Sequence, residues 1–268
     1  MKHGFLIDMD GVIYSNNDLI PGADTFIRNL QDQDIPFLFM TNNSQRTPRD
    51  GVNKLAALGI HVDESRMFTS AMATAAFLAR QKPNGTAYVL GEGGLITSLL
   101  ANGISMAEKD PDFVVVGEGR NFTLEMVNLA VDMILHGARL IATNLDPSPM
   151  KMGWNNLGIR AVVAMIEEAT GRAAFSVGKP SPIMMRAARK KLGLATAETT
   201  VIGDTMTTDI VGGIQMGYST ILTLSGVTKE EEIALYPYAP DVIIKDLASF
   251  ELQKYLSDQD YRAEVMAV

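Results

Sequence analysis

The sequence predicts an α/β protein: a Rossmann-like, doubly wound core of parallel strands, with a second α/β domain inserted into it. Short apolar runs alternate with longer helical patterns along the 268-residue chain. The apolar runs are continuous, as is typical of strands buried on both faces of a parallel sheet. Several of them end in polar residues, and open parallel sheets gather ligands at the C-terminal ends of their strands.

Five apolar runs predict the strands of the core, and they span residues 5–7, 36–40, 199–202, 219–224 and 241–244. A helix is predicted at residues 23–31. Another begins at Thr47, which can cap it, with Pro48 in its first turn. A third begins at Ser181-Pro182, and Gly193 supplies its C-terminal stop. The core is therefore predicted to consist of two separated segments.

The middle of the chain forms its own α/β pattern. Strand-like runs at 87–90, 113–116, 140–143 and 174–177 are separated by helical stretches at 95–101, 124–135 and 159–169. About a hundred residues are enough for a domain. We therefore predict a first core segment at 1–78, an inserted α/β cap domain at 79–178, and a second core segment at 179–268.

Composition limits the classes of function. The chain is 47% apolar and 20% charged, has a net charge of −8 and contains no cysteine. A negative field disfavours a nucleic-acid partner, and the missing cysteines exclude disulfides, thiolate metal sites and cysteine nucleophiles. Neither a targeting segment nor a membrane-spanning apolar stretch stands out. We expect a soluble, cytoplasmic protein without a membrane partner, and a homo-oligomer stays possible.

The first strand is followed by two carboxylates, Asp8 and Asp10, ahead of Gly11. The alternation of side chains along a strand predicts that both point to the same side. A carboxylate can attack phosphorus and form an acyl phosphate, while a second one handles protons. The alternative is that Asp10-Gly11 only makes a turn, because both residue types are favoured there.

Three further clusters follow. Thr41 and Asn42 end the second strand, where free backbone N–H groups can hold phosphate oxygens, although a plain polar turn has the same composition. Lys179 lies on a proline-containing turn, where a lone lysine is usually solvated. Asp204 and Asp209 flank a loop after a buried strand. Their oxygens suit Mg²⁺, whereas a helix cap is the alternative role, above all for Asp209.

Taken together and in this order, the four clusters resemble the motifs of the haloacid-dehalogenase-like (HAD) phosphatase superfamily. The resemblance spans nearly the whole chain and implies the HAD fold and Mg²⁺ as cofactor. It implies that Asp8 is the nucleophile, that Asp10 is the general acid and then the general base, and that Thr41, Asn42 and Lys179 bind phosphate. It also implies that Asp8, the Asp10 carbonyl and Asp204 hold Mg²⁺, with Asp209 in the outer shell.

The place of the insertion, between Thr41 and Lys179, resembles the class with a large C2-type α/β cap. Sequences around residues 69–75, 111–118 and 142–146 resemble the NagD-type branch, subfamily IIA, whose members include ribonucleoside monophosphatases. This implies a small phosphate monoester as substrate, a ribonucleoside monophosphate or a sugar phosphate, with Asn144 and Asp146 as substrate residues of the cap. The chain departs from the family's Pro-Gly-rich turn at 150–158, where Trp154 can stack on a base or simply pack.

Parts of the sequence are also compatible with two other functions. Gly91-Glu92-Gly93-Gly94 follows a strand and invites a dinucleotide-binding interpretation, but it lacks the full glycine fingerprint. A phospho-accepting signalling or binding protein without significant turnover can also use an Asp with a nearby Thr and Lys. The pair of carboxylates, Asp8 and Asp10, together with a large inserted domain favours the enzyme.

Overall fold

The computed structural model describes residues 3–147 and 158–257. The strands, in chain order, are β1 (Gly4–Ile7), β2 (Tyr14–Ser15), β3 (Asp18–Leu19), β4 (Phe37–Thr41), β5 (Met67–Thr69), β6 (Thr86–Leu90), β7 (Ser105–Met106), β8 (Phe113–Val116), β9 (Arg139–Ala142), β10 (Phe175–Ser176), β11 (Thr199–Gly203), β12 (Ser219–Thr223) and β13 (Val242–Ile244). The α-helices are α1 (Ala23–Asp32), α2 (Pro48–Ala57), α3 (Ser70–Gln81), α4 (Gly93–Ala101), α5 (Leu124–Leu135), α6 (Ile159–Thr170), α7 (Pro182–Leu192), α8 (Val211–Met216), α9 (Glu230–Ile233) and α10 (Leu252–Ser257). No helix among these residues combines the length and apolar character that a membrane crossing requires.

The described residues form two compact units. The core unit contains the chain up to Thr41, Val52–Phe68, and the chain from Met185 onward. The inserted unit contains Asn42–Gly51 and Thr69–Met184. It is wider than the predicted range of 79–178 because α3 packs against α4 and because the Gly94 N–H donates to the Gln45 carbonyl at 2.9 Å.

The main sheet of the core unit has the strand order β13-β12-β11-β1-β4-β5. β1 pairs in parallel with β11 on one side and with β4 on the other, so Ile7 lies opposite both Ile202 and Phe39. All residues of β1 and β4 are buried, as the continuous apolar runs predict. The register brings the C-terminal ends of β1, β4 and β11 to the same edge of the sheet.

Aromatic side chains fill one side of this core. Phe5 packs against Phe26 and Phe250 with ring centroids 5.8 and 6.5 Å apart, and Tyr255 lies 5.3 Å from Phe250. Burying rings of this size contributes a large share of the hydrophobic stabilisation of a domain. The strand ends on this sheet therefore belong to a well-packed layer.

The sheet of the inserted unit has the order β10-β9-β8-β6-β7, and its pairs are parallel. Helices α5 and α6 bury one apolar face each against it through Val127, Ala130, Val162 and Ile166. β10 lies at the edge of the sheet, and its pairing with β9 continues through the bonds from the Val177 and Gly178 N–H groups to the Ala142 and Thr143 carbonyls. These bonds therefore hold the main chain in place just before residue 179.

Local sequence explains where two helices begin and end. The Thr47 hydroxyl accepts from the Asp50 N–H at 3.2 Å, and the Asp50 carboxylate accepts from the Thr47 N–H at 2.9 Å. These bonds satisfy the first donors of α2 and confirm Thr47 as its cap. Gly193 follows α7 with a φ of 67°, which confirms the predicted stop, because glycine adopts this conformation without steric cost.

Candidate active site

Three buried carboxylates form a cluster in the core unit. Asp8, Asp204 and Asp209 each offer one oxygen, and these oxygens all lie within 4.8 Å of one another. Asp8 follows β1 and Asp204 follows β11, so two neighbouring strand ends supply them. Asp209 lies in the π-helical segment Met206–Ile210 and is fully buried. All three residues were predicted from the sequence, and the fold brings them together.

Asp8 is fixed just beyond its strand. Its N–H donates to the Ile202 carbonyl at 2.9 Å, and its Oδ1 accepts from the Met9 N–H at 2.8 Å. Because β1 ends at Ile7, Asp8 and Asp10 lie past the strand, and the alternation of side chains does not govern them. Asp8 is buried, whereas Asp10 is exposed. That the two carboxylates point to the same side stays a prediction.

The Asp204 carboxylate is enclosed by backbone. Its Oδ2 accepts from the Val227 N–H at 2.7 Å, and its Oδ1 accepts from the Thr205 hydroxyl at 3.0 Å. A Cβ at Gly226 would lie 1.9 Å from Oδ2, and one at Gly11 would lie 2.1 Å from it. Both positions must therefore stay without side chains if Asp204 is to keep this conformation.

The same holds for Asp209. A Cβ at Gly203 would lie 2.2 Å from the Cβ and Cγ atoms of Asp209. The Asp209 carboxylate also accepts from the Thr208 hydroxyl at 3.2 Å. The glycine that precedes Asp204 therefore makes room for the second acidic residue of the loop.

The predicted Asp10 and Thr41 belong to the same core unit as this cluster. Asp10 forms an isolated bridge with Tyr14, whose hydroxyl donates to Asp10 Oδ2 at 3.4 Å. Thr41 is buried at the end of β4, next to β1 in the sheet. Thr41 therefore lies at the sheet edge that carries Asp8, and Asp10 lies two residues beyond Asp8 in the chain.

The cluster fits a hard divalent cation. Two unit charges 4 Å apart repel by roughly 4 kcal/mol at an effective dielectric of 20, so three carboxylates held this close need positive charge among them. Carboxylate oxygens are the ligands that Mg²⁺ prefers, and it commonly uses one or two of them with water and substrate oxygens. Asp8, Asp204 and Asp209 can thus hold the ion that the sequence resemblance implies.

The other predicted site residues form a second cluster, in the inserted unit. The Asn42 amide donates to the Asp146 carboxylate at 2.9 Å and accepts from the Lys179 N–H at 2.7 Å. Asn144 is buried and donates to the Asn42 carbonyl at 2.8 Å. Lys179 is also buried. These residues are up to 137 positions apart in the sequence, and the fold brings all four together.

The loop after β12 was not predicted from the sequence to be part of the site. Gly226 and Val227 both contact the Asp204 carboxylate, and the Ser225 hydroxyl donates to the Gly11 carbonyl at 2.7 Å. The available signal was the position of this loop after a buried strand of the same parallel sheet, where ligand-binding loops gather. Trp154 lies outside the described residues.

Comparisons with known proteins agree with this geometry. A family model described as haloacid dehalogenase-like hydrolase matches residues 5–105, and a second HAD-hydrolase-like model matches residues 176–250. A dihydroxyacetone phosphatase of Corynebacterium glutamicum is 42% identical over 247 residues, which are 91% of this chain and 89% of the relative. The ribonucleotide monophosphatase NagD of Escherichia coli K12 is 40% identical, with 92% of this chain and 97% of the relative covered.

Solved structures give the same result. The crystal structure of a double mutant of a thermostable NPPase from Geobacillus stearothermophilus has a TM-score of 0.87 and 39% sequence identity, and it covers 93% of this chain and 98% of that chain. These matches cover at least 89% of each chain, and the two curated relatives are named phosphatases. The chain therefore belongs to the NagD-type, subfamily IIA branch of the haloacid-dehalogenase-like hydrolases and is a phosphatase that acts on small phosphate monoesters.

Proposed function

We propose that this phosphatase depends on Mg²⁺ and works through an aspartyl-phosphate intermediate on Asp8. The observation that carries the proposal is the cluster of buried Asp8, Asp204 and Asp209 carboxylates at the ends of neighbouring strands. A cluster of this kind combines a nucleophile with a cation site. Phosphoryl transfer depends mainly on positioning and charge neutralisation, and both needs would be met there.

In the first step, an Asp8 carboxylate oxygen forms a bond to phosphorus while the bond from phosphorus to the ester oxygen breaks. The Asp10 carboxyl gives its proton to the departing alkoxide. In the second step, Asp10, now a carboxylate, takes a proton from water, and the resulting hydroxide attacks phosphorus. The bond from phosphorus to Asp8 breaks, which releases inorganic phosphate and restores the Asp8 carboxylate.

Negative charge is the main obstacle to the first step, since a carboxylate must approach a phosphate dianion. Bound Mg²⁺ would supply positive charge that offsets this repulsion. Asp204 would hold the ion together with Asp8 and the Asp10 carbonyl, and Asp209 would act from the outer shell. We assign Thr41 and Lys179 to the phosphoryl oxygens, as a hydroxyl donor and as a fixed positive charge.

We propose that the substrate is a ribonucleoside monophosphate or a sugar phosphate. The supporting observation is that one relative is named a dihydroxyacetone phosphatase and another a ribonucleotide monophosphatase. Asn144 and Asp146 are the residues of the inserted unit that sequence analysis assigned to the substrate. A cytoplasmic location and the choice between these two ester classes stay predictions.

A panel of phosphate esters assayed with Mg²⁺ tests this function, with Asp8→Asn as the key variant. Asp8→Asn removes the nucleophile at nearly constant volume, so we expect kcat to fall by on the order of 10³-fold or more. The matched control is Asp18→Asn, the same change at an exposed residue of β3, which should leave kcat unchanged. A folded Asp8→Asn protein with activity near wild type would contradict the covalent mechanism.

A further inference from the structure

The side-chain amide of Asn42 is engaged on every donor. Its Nδ2 donates to Asp146 Oδ1 at 2.9 Å and Oδ2 at 3.1 Å, and also to the Lys179 carbonyl at 3.1 Å. Its Oδ1 accepts from the Lys179 N–H at 2.7 Å. The amide therefore pairs with both backbone groups of Lys179, and the residue itself is buried.

The chemistry of the partners fixes the orientation of this amide. A backbone N–H can only donate, so it must face Oδ1, and an ionised carboxylate can only accept, so it must face Nδ2. Both protons of Nδ2 are then committed to neighbours within the inserted unit. A phosphate oxygen could bind Nδ2 only if Asn42 gave up Asp146 or the Lys179 carbonyl, which argues against the Asn42 side chain as a phosphate ligand.

Asn144 and Asp146 complete the network around the same residue. The Asn42 carbonyl accepts from Asn144 Nδ2 at 2.8 Å and from the Ser70 hydroxyl at 2.6 Å. Asn144 Oδ1 in turn accepts from the Asp146 N–H at 3.0 Å. Asn144 and Asp146 thus hold Asn42 from two sides, through its backbone and through its side chain.

The chain before Lys179 is tightly placed as well. The Gly178 N–H donates to the Thr143 carbonyl at 2.8 Å. A Cβ at Gly178 would lie 2.4 Å from that carbonyl oxygen and 2.7 Å from Asn42 Oδ1. Backbone on one side and the Asn42 amide on the other therefore determine where the main chain of Lys179 lies.

We infer that Asn42, Asn144 and Asp146 are positioning residues that fix the main chain of Lys179, and that their side chains do not contact the phosphate or the leaving group. The inference rests on the proposed function, in which Lys179 neutralises phosphoryl charge. Its physical basis is that the long, flexible side chain of Lys179 can place its ammonium group correctly only if the main chain that carries it is held in position. It gives Asn144 and Asp146 a role that is independent of which ester is bound.

An exchange of the two side chains tests the inference. Asn42→Asp puts a second carboxylate next to Asp146, and Asp146→Asn removes the charged acceptor. We expect each single variant to lose roughly tenfold or more in kcat/KM, by the same factor for 4-nitrophenyl phosphate and for the best alkyl phosphate of the panel. Inhibition by inorganic phosphate should weaken in parallel. The double variant again pairs one amide with one carboxylate, but it leaves no donor at position 42 for the Lys179 carbonyl, to which Asn42 Nδ2 donates at 3.1 Å. Both quantities should therefore recover from the Asn42→Asp values only in part and should not reach wild type.

A control separates positioning from general stability. Asp112→Asn makes the same chemical change at another hydrogen-bonded aspartate of the inserted unit, and it should lower the melting temperature without changing phosphate inhibition. All rates are measured well below the melting temperature and per folded protein. If one of the single variants does not fold, the other decides: equal losses for the two esters together with weaker phosphate inhibition support the inference, and wild-type values or unequal losses overturn it.

The outcomes also separate this inference from the proposed function. A double variant no better than the worse single variant, or losses that differ between the two esters, would mean that Asn42 or Asp146 contacts the substrate. In that case positioning is wrong while the phosphatase mechanism stands. If Lys179→Ala keeps wild-type kcat/KM and phosphate inhibition, the proposed role of Lys179 fails, and positioning fails with it.

Discussion

Gly226→Ala tests whether the confined conformation of Asp204 is needed for Mg²⁺ binding. A methyl group built at Gly226 lies 1.9 Å from Asp204 Oδ2, and ordinary contacts begin at 3.4 Å, so the carboxylate or the loop must move by roughly 1.5 Å. Such a shift would also break the 2.7 Å bond from the Val227 N–H. Because a misplacement of about 1 Å can cost about 10²-fold, we expect kcat/KM to fall by on the order of 10²-fold.

Two measurements check this expectation. One is the Mg²⁺ concentration that gives half-maximal activity, which should rise at least roughly tenfold. The other is the increase in unfolding free energy that Mg²⁺ produces, which does not depend on turnover. At saturating Mg²⁺ a tenfold weaker affinity lowers that increase by about 1.4 kcal/mol.

Gly93→Ala is the matched control, because a Cβ at Gly93 meets nothing within 4 Å and the residue begins helix α4. It should leave activity and Mg²⁺ stabilisation unchanged. The reasoning is refuted if Gly226→Ala folds and retains the wild-type Mg²⁺ requirement and kcat/KM. That result would mean that Asp204 can move freely or does not hold the ion.

EDTA should stop hydrolysis and Mg²⁺ should restore it, with Asp204→Ala raising the Mg²⁺ requirement far more than Asp209→Ala; equal requirements in the two variants would place both carboxylates in the same shell. A second prediction concerns pH: hydrogen bonds from Lys82 and Thr86 lower the pKa of Asp112 from its ordinary value of 3.8. This stabilisation is complete above that value and is lost as pH falls through the lower folded-state pKa. Asp112→Asn should therefore cost about 1 kcal/mol near pH 7, and the difference from wild type should shrink below pH 3.8 in chemical unfolding. A difference that is constant down to pH 2, or absent at pH 7, would contradict this assignment.

Much of the secondary structure was predictable from apolar runs. β8 and α5 have the predicted bounds of 113–116 and 124–135, because each is an apolar stretch bounded by polar or turn residues. The short strands β5 and β7 were not predicted, because three and two residues are too few to show the apolar pattern of a strand. From the sequence, Gly94 could be predicted only as a loop glycine. In the structure, a Cβ at Gly94 would lie 2.5 Å from the Arg46 carbonyl oxygen. A glycine is therefore needed there so that the two backbone segments can pack closely.

The clustering of Asp8 and Asp204 in the candidate site was predictable because each directly follows a core strand, and parallel strands bring their C-terminal ends together. Asp209 lies further along the chain, in the segment Met206–Ile210. The bonds between Asn42 and Asp146 were not predictable, since 104 positions separate these residues and no local pattern links them. The contact between Gly226 and Asp204 could likewise not be predicted from the sequence. A glycine's reason for being small lies in what surrounds it, and only the tertiary structure supplies that information.

The crowding at Gly11, Gly203 and Gly226 has a consequence for making this enzyme more heat-resistant. Replacing glycine by alanine commonly raises stability by about 0.4–1 kcal/mol, since it reduces the conformational entropy of the unfolded chain. At these three positions a methyl group would collide with the Asp204 or Asp209 side chain at 2.2 Å or less. The unfolded chain therefore keeps the extra conformational entropy of these three glycines, which lowers the free energy of unfolding. The carboxylate cluster makes this loss of stability unavoidable. Thermostabilising changes of this type have to be made away from it, at sites such as Gly93.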